Sequence, residues 1–220
     1  MSNFRQSQPK YKTTRVENGN GSSRVAPITN NINYATGFGH LALCAVSGWA
    51  IHQMHFDQSP LSLCCFTFLI GHSLLGVLRF THPSVSECIT KGYHITTVLA
   101  QTLPLLLVTT QLCINARLFM FMEYIYVQIL FALLPTVCDL SNKHRYRDYT
   151  LNTIVMVNAA LLGYTGIYTE KFWSTGLAVL SVLNHFSMKH ICGWYNVPRT
   201  DLVVVGLSFF TVFAVNCLNE

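Results

Sequence analysis

Asp139-Leu140-Ser141-Asn142-Lys143-His144-Arg145-Tyr146-Arg147-Asp148 is the densest polar break in the chain. It separates two apolar runs, each long enough to cross a bilayer as a helix. A hydrocarbon core of about 30 Å needs about 20 apolar residues at 1.5 Å of rise each. Runs of that size recur on both sides of the break, near residues 35–56, 61–80, 92–114, 118–138, 149–168, 172–189 and 202–218. The pattern predicts an all-α fold, a polytopic membrane bundle of seven helices over 34–220. The sixth run is the shortest, and it carries Asn184 and His185 in its last turns.

Composition supports a membrane solvent. Of 220 residues, 51% are hydrophobic and 10% are charged, against roughly a quarter charged in soluble domains. The basic residues stand at the ends of apolar runs and form no basic stripe, so no nucleic-acid partner is expected. Eight cysteines occur singly or as neighbours in or beside apolar segments, with no CxxC or zinc spacing. Cys88, Cys138 and Cys192 lie near helix ends, where palmitoylation is a weak expectation. Residues 1–33 are polar and basic with little to bury, and read as a disordered tail. The first apolar run begins near Tyr34, too late for a cleavable signal.

The loops fit helical hairpins. Asp57-Gln58-Ser59-Pro60, Thr81-His82-Pro83-Ser84 and Asn196-Val197-Pro198-Arg199-Thr200-Asp201 all carry Pro, and Thr200 or Asp201 is placed to cap the last helix. Pro104 and Pro135 fall inside apolar runs, where kinks are expected.

Charge sets the orientation. Twelve of the fourteen Lys and Arg residues fall on one side: the tail, Arg79, Lys91, Lys143, Arg145, Arg147, Lys189 and Arg199. Only Arg117 and Lys171 lie opposite. By the positive-inside rule the N-terminus is cytosolic, and Glu220 ends up outside or in a lumen. Endomembrane residence is expected over the plasma membrane. The Lys143, Arg145 and Arg147 group reads first as a topology anchor, and second as a contact for anionic lipid or a partner.

Ionisable groups inside the runs are the functional candidates, because each is costly in lipid. His40, His82, His94, His144 and His190 fall near the cytosolic face, within reach of water. His72 lies deep and needs a partner from another helix, with Asn158, Asn184 or His185 as candidates. Glu123 is the one acid well inside an apolar run, placed to snorkel or to bind a proton or cation. His52 and His55 stand at i and i+3 beside Asp57, but two imidazoles do not make a metal site. No two helices carry matched histidines for haem, so neither metal nor cofactor is expected. Ala159-x-x-x-Gly163 and Ser174-x-x-x-Ala178 permit close packing of the fifth and sixth helices.

A G-protein-coupled receptor would place the N-terminus outside and show an Asn-Pro-x-x-Tyr in its last helix, and the chain does neither. The zinc-dependent lipid amidases of the adiponectin-receptor type need histidines in a last helix that has none here. Gly39-His40-Leu41-Ala42-Leu43 continuing to Val46-Ser47, with Thr81-His82 and Leu103-Pro104-Leu105-Leu106 at similar spacing, resembles the transmembrane protein 276 family. That resemblance implies a multi-pass membrane protein and carries over no site residues. The leading expectation is a non-enzymatic bundle acting as accessory or scaffold with a membrane-protein partner. The second is a small transporter or channel with His72, Glu123, Asn158, Asn184 and His185 along a polar path, and the third is a membrane-embedded metal or redox protein.

Asn20-Gly21-Ser22 is a glycosylation sequon that a cytosolic tail leaves unmodified. Treating protein from native membranes with an endoglycosidase should therefore leave its electrophoretic mobility unchanged; a glycan found on Asn20 reverses the orientation.

Overall fold

The computed structural model describes residues 33–54, 59–118, 122–195 and 198–220, and every structural statement concerns those residues. They form α1 (Tyr34–Gln53), α2 (Pro60–Thr81), α3 (Glu87–Leu99), α4 (Leu103–Asn115), α5 (Met122–Leu140), α6 (His144–Tyr168), α7 (Phe172–Val182), a π-helical turn (Leu183–Ser187), α8 (Met188–Tyr195) and α9 (Arg199–Asn219). No strand occurs among them. Of these helices α2, α6 and α9 are each long and apolar enough to cross a membrane, and α3 with α4, bent by 40° at their break, makes a fourth if the pair is one span. The disordered-tail reading falls almost wholly on residues 1–32, outside the described residues.

Local chemistry explains where the helices begin. Pro60 occupies the first turn of α2, where a missing N–H costs nothing. The Ser86 hydroxyl accepts from the Ile89 N–H, and Glu87 pairs with Lys91 at 2.8 Å one turn on. That polar opening starts α3 five residues before the apolar run at 92. The last helix also starts early, at Arg199, with Pro198 before it and no side-chain cap. Asp201 does not cap it and accepts instead from the Thr36 hydroxyl of α1 at 2.6 Å.

Three helices end alike. Arg117, Asn142 and Glu170 take positive φ (54°, 56° and 57°) just past α4, α5 and α6. In each case the next residue donates back to the helix: Leu118 N–H to Cys113, Lys143 N–H to Cys138 and Lys171 N–H to Gly166, at 2.9–3.0 Å. These are Schellman closures, which satisfy the terminal carbonyls and turn the chain sharply. The Asp139–Asp148 break is thus a tight hairpin between α5 and α6.

Helix α4 lies at the centre, against α2, α5 and α6. All ten residues from Pro104 to Cys113 are buried. Its polar side chains bond inward: Thr109 and Thr110 donate to the Leu105 and Leu106 carbonyls, and Gln111 accepts from the Leu61 N–H at 3.2 Å. Around it α1 packs on α2 and α9, α5 on α6, and α6 on α7. The small-residue spacings do bring α6 and α7 together. Gly163 faces Ala178, and Gly166 lies so near Thr175 that a Cβ there would meet its Oγ1 at 2.6 Å.

One expectation is corrected by the packing. His40, placed near water by its position along α1, is fully buried, because its imidazole fills the space that Gly76 of α2 leaves open. A Cβ at residue 76 would fall 2.5 Å from ring atoms of His40. Gly76→Ala should therefore cost about 1–3 kcal/mol through overpacking. Gly71→Ala, with nothing within 4 Å of the added carbon, should be neutral or stabilise by up to about 1 kcal/mol through helix propensity. Thermal unfolding of the two purified variants in one detergent checks the contrast, and equal effects would refute the packing account.

Candidate functional site

Two polar assemblies and one cavity occupy the end of the bundle where α3, α6 and α9 begin and α2 and α5 end. The first assembly is aromatic. His40 of α1, His72 of α2 and Tyr93 of α3 have ring centroids 5.4–5.5 Å apart. A ring nitrogen of His40 (Nε2) lies 3.0 Å from the Tyr93 hydroxyl, and His72 Nδ1 lies 3.0 Å from Thr96 Oγ1. Thr96 gives its own hydrogen to the Tyr93 carbonyl at 3.1 Å, so in that arrangement His72 donates from Nδ1. The Arg79 guanidinium stands 4.7 Å from the Tyr93 ring centroid, a cation–π contact that closes the cluster. His72 thus takes its partner from α3, and not from Asn158, Asn184 or His185. Its neighbours tie three helices together and leave the two imidazoles bonded to different groups. Among the described residues no set of three His, Cys, Asp or Glu converges as a metal site would.

The second assembly centres on Asp139, whose side chain is 8% exposed. Its carboxylate accepts from Arg147 Nη1 at 2.6 Å, meets His94 Nε2 at 2.9 Å and has His144 Nδ1 at 3.5 Å. Arg147 also holds Asp148, with Nε and Nη2 at 3.1 and 3.0 Å from one oxygen. Burial alone would raise the Asp139 carboxyl, but the Arg147 hydrogen bond and charge, with His94 beside it, outweigh that and hold it below the usual carboxylate range. This latch joins α3, α5 and α6. Of the three basic residues singled out in the α5–α6 hairpin, Arg147 alone is drawn into it, while Lys143 and Arg145 are exposed.

Between these helices lies a vestibule of two adjoining chambers that share Gln101, His185 and Arg199. The outer chamber, about 110 Å³, is walled by His94, Thr97, Arg147, Asp148 and Asn152. The inner one, about 50 Å³, adds Ser181 and Asn184 above a floor of Leu105, Val155, Leu207 and Phe210. Two helix irregularities meet there. Gln101 sits in the break between α3 and α4, and Asn184 and His185 sit in the π turn. π turns inside α-helices concentrate at functional sites because they rotate side chains out of register. His185 Nε2 bonds Asn152 Oδ1 at 2.8 Å. Asn184 lies flush against Gly206 of α9, where any Cβ would overlap its carboxamide, and its Oδ1 is buried without a partner.

Of the residues expected along a polar path, Asn184 and His185 come together here. Asn158 is buried elsewhere, donating to the Ile154 carbonyl at 2.9 Å, and His72 belongs to the aromatic cluster. Glu123 lies in the first turn of α5, with its side chain outside the described residues, as are His55 and Asp57. Sequence reasoning placed His40 and His94 near water and took Asp139 and Arg199 as parts of polar loops, and it missed Tyr93 and Gln101. The spacing His72-x-x-x-Gly76 was a usable signal, since it leaves a ring-sized gap one turn from an imidazole.

A family model described as a domain of unknown function, DUF4791, matches residues 57–218, a stretch that covers α2 to α9 nearly to its end. No curated protein and no solved structure matches the chain.

The latch has a pH signature. Asp139 titrates lower in the folded protein than unfolded, so its contribution is complete above the ordinary carboxylate value near 3.8 and is lost as pH falls through the folded value. Asp139→Asn should cost about 2 kcal/mol at neutral pH, as loss of a charge-assisted hydrogen bond does. It should also flatten the fall in thermal stability below about pH 4. An acid limb unchanged in Asp139→Asn would remove the latch from the account.

Proposed function

Taking as premise that the chain belongs to the DUF4791 family, we propose that it is a non-enzymatic, seven-span endomembrane protein with a cytosolic N-terminus, which takes a small polar solute into the vestibule as a carrier or channel-like protein does. The meeting of two helix interruptions at one polar cavity carries this reading. In a membrane interior, irregular helix is tolerated where it lines a cavity or is buried in protein, and carriers build their binding sites from broken helices. The seven spans would be α1, α2, the bent α3–α4 pair, α5, α6, the continuous α7–π–α8 rod and α9. With the positive-inside count, that arrangement opens the vestibule to the cytosol. The resemblance to the transmembrane protein 276 family fits the same multi-pass reading.

A second reading, an accessory or scaffold within a membrane complex, draws on α5. Tyr126, Leu130, Val137 and Leu140 are 56–71% exposed on that helix, an apolar face suited to a partner helix as well as to lipid.

Cysteine accessibility tests the vestibule. After the exposed Cys64 and Cys88 are changed to Ser, Gln101→Cys and Asn152→Cys should react with a membrane-impermeant maleimide added from the cytosolic side, and faster than Met156→Cys on the apolar outer surface of α6. Equal or no labelling at 101 and 152 would leave the scaffold reading in its place.

A further inference from the structure

We propose that the inner chamber binds a small oxyanion, a carboxylate or phosphate group, with the Arg199 guanidinium as its charged anchor. This deepens the solute-binding reading and rests on it for access from the cytosol.

Charge is the first argument. No Asp or Glu lines the inner chamber. The nearby guanidinium groups are engaged, Arg147 by Asp139 and Asp148 and Arg79 by the Tyr93 ring. Arg199, an exposed residue that borders both chambers, has no hydrogen-bond or ion-pair partner among the described residues. Asp201, two residues on, lies about 200° around the helix and is bound to Thr36 of α1. The guanidinium fork is shaped for a carboxylate or phosphate, which it can grip through two parallel bonds.

The deep end supplies unmet hydrogen bonds. The α3–α4 break presents the N-terminus of α4, where Leu105 lines the chamber and its N–H has no acceptor among the described residues. Amides at a helix start favour negative charge. Asn184, half-buried as a residue, adds a carboxamide whose Oδ1 is buried and unpartnered. Exchange of its oxygen and nitrogen positions turns a donor to the same spot, and the protonated oxygen of a hydrogen phosphate or a bridging water suits the position as drawn. The apolar floor at Leu105 and Phe210 lowers the local dielectric and strengthens each of these contacts.

Size narrows the class. A chamber of about 50 Å³ holds about four waters, space for one carboxylate or phosphate group, and the adjoining chamber of about 110 Å³ leaves room for what the group is attached to. The anion could be a free solute or the headgroup of a lipid entering from the cytosolic leaflet, and the test separates them.

The full-length protein, purified and reconstituted in phosphatidylcholine, is heated with rising sodium phosphate or sodium acetate, using sodium chloride at matched ionic strength as reference. A parallel series replaces part of the phosphatidylcholine with phosphatidylserine. Saturable stabilisation by phosphate or acetate supports a free anion, and stabilisation by phosphatidylserine alone supports a headgroup. Arg199→Gln should abolish the response. Arg199→Lys should keep it at about tenfold higher concentration, because one charge-assisted hydrogen bond is lost. A wild-type protein that responds to none of the three probes overturns the site, as does Arg199→Gln responding like wild type. If Arg199→Gln does not fold, an unchanged response in both Arg199→Lys and Asn184→Ala overturns it. Flux in proteoliposomes separates this proposal from the carrier reading. Saturable anion binding without flux keeps the site and removes the carrier, whereas flux of a cation or neutral solute without anion response keeps the carrier and removes the site.

Discussion

Enclosing α4 on every side is the constraint on which the other helices depend. A helix buried all round has no lipid-facing stripe, so each polar group it carries must be met by its own backbone or by a neighbour. Thr109, Thr110 and Gln111 meet that demand locally. The first turn of α4 cannot, since its opening amides follow a break and not another helical turn. The break therefore has to face something polar, and the neighbours facing it are the π turn after α7 and the basic start of α9. The vestibule follows from the packing as directly as the core does.

The basic end of the bundle divides into parts with separate duties. The Asp139 latch holds α3, α5 and α6 through a carboxylate shared by Arg147 and His94, and the aromatic cluster holds α1, α2 and α3 through ring stacking and two hydrogen bonds. The latch consumes its charges internally, while the cluster leaves one buried ring nitrogen, His40 Nδ1, without a partner among the described residues. The vestibule between them holds the exposed Arg199 guanidinium and the buried Asn184 Oδ1, which likewise have no partner among the described residues.

Much of the architecture was legible in the chain. Each apolar run falls on a helix or a nearly continuous helical rod, because length and hydrophobicity are properties of a segment alone. Pro104 marked the α3–α4 discontinuity, although as a break two residues earlier and not a simple kink. Depth and partnership were not legible. His40 sits close to a helix start, which suggests exposure, yet it is enclosed because Gly76 on another helix leaves room. His72 was matched to Asn158, Asn184 and His185 by depth, but partners also depend on the rotation of each helix about its axis. The π turn shifts that rotation partway along a rod, so no constant period assigns faces to Asn184 and His185. Asp139 was read as part of a charged loop, and its role appears only when α3 brings His94 across.

The hydrogen bond between Thr36 and Asp201 has a bearing on how the molecule is made. It joins residues 165 apart in the chain, and with it α1 packs against α9. At about 5–20 residues per second of synthesis, the first helix waits roughly 10–30 s for its last neighbour. His40 meets Tyr93 of α3 after only 53 residues, so it is Thr36 that stands beside α2 without its α9 partner for the whole interval. The early pairing of α1 with α2, through the glycine gap and the Asn33 N–H to Phe80 carbonyl bond at 3.2 Å, is what can hold α1 in place until synthesis ends.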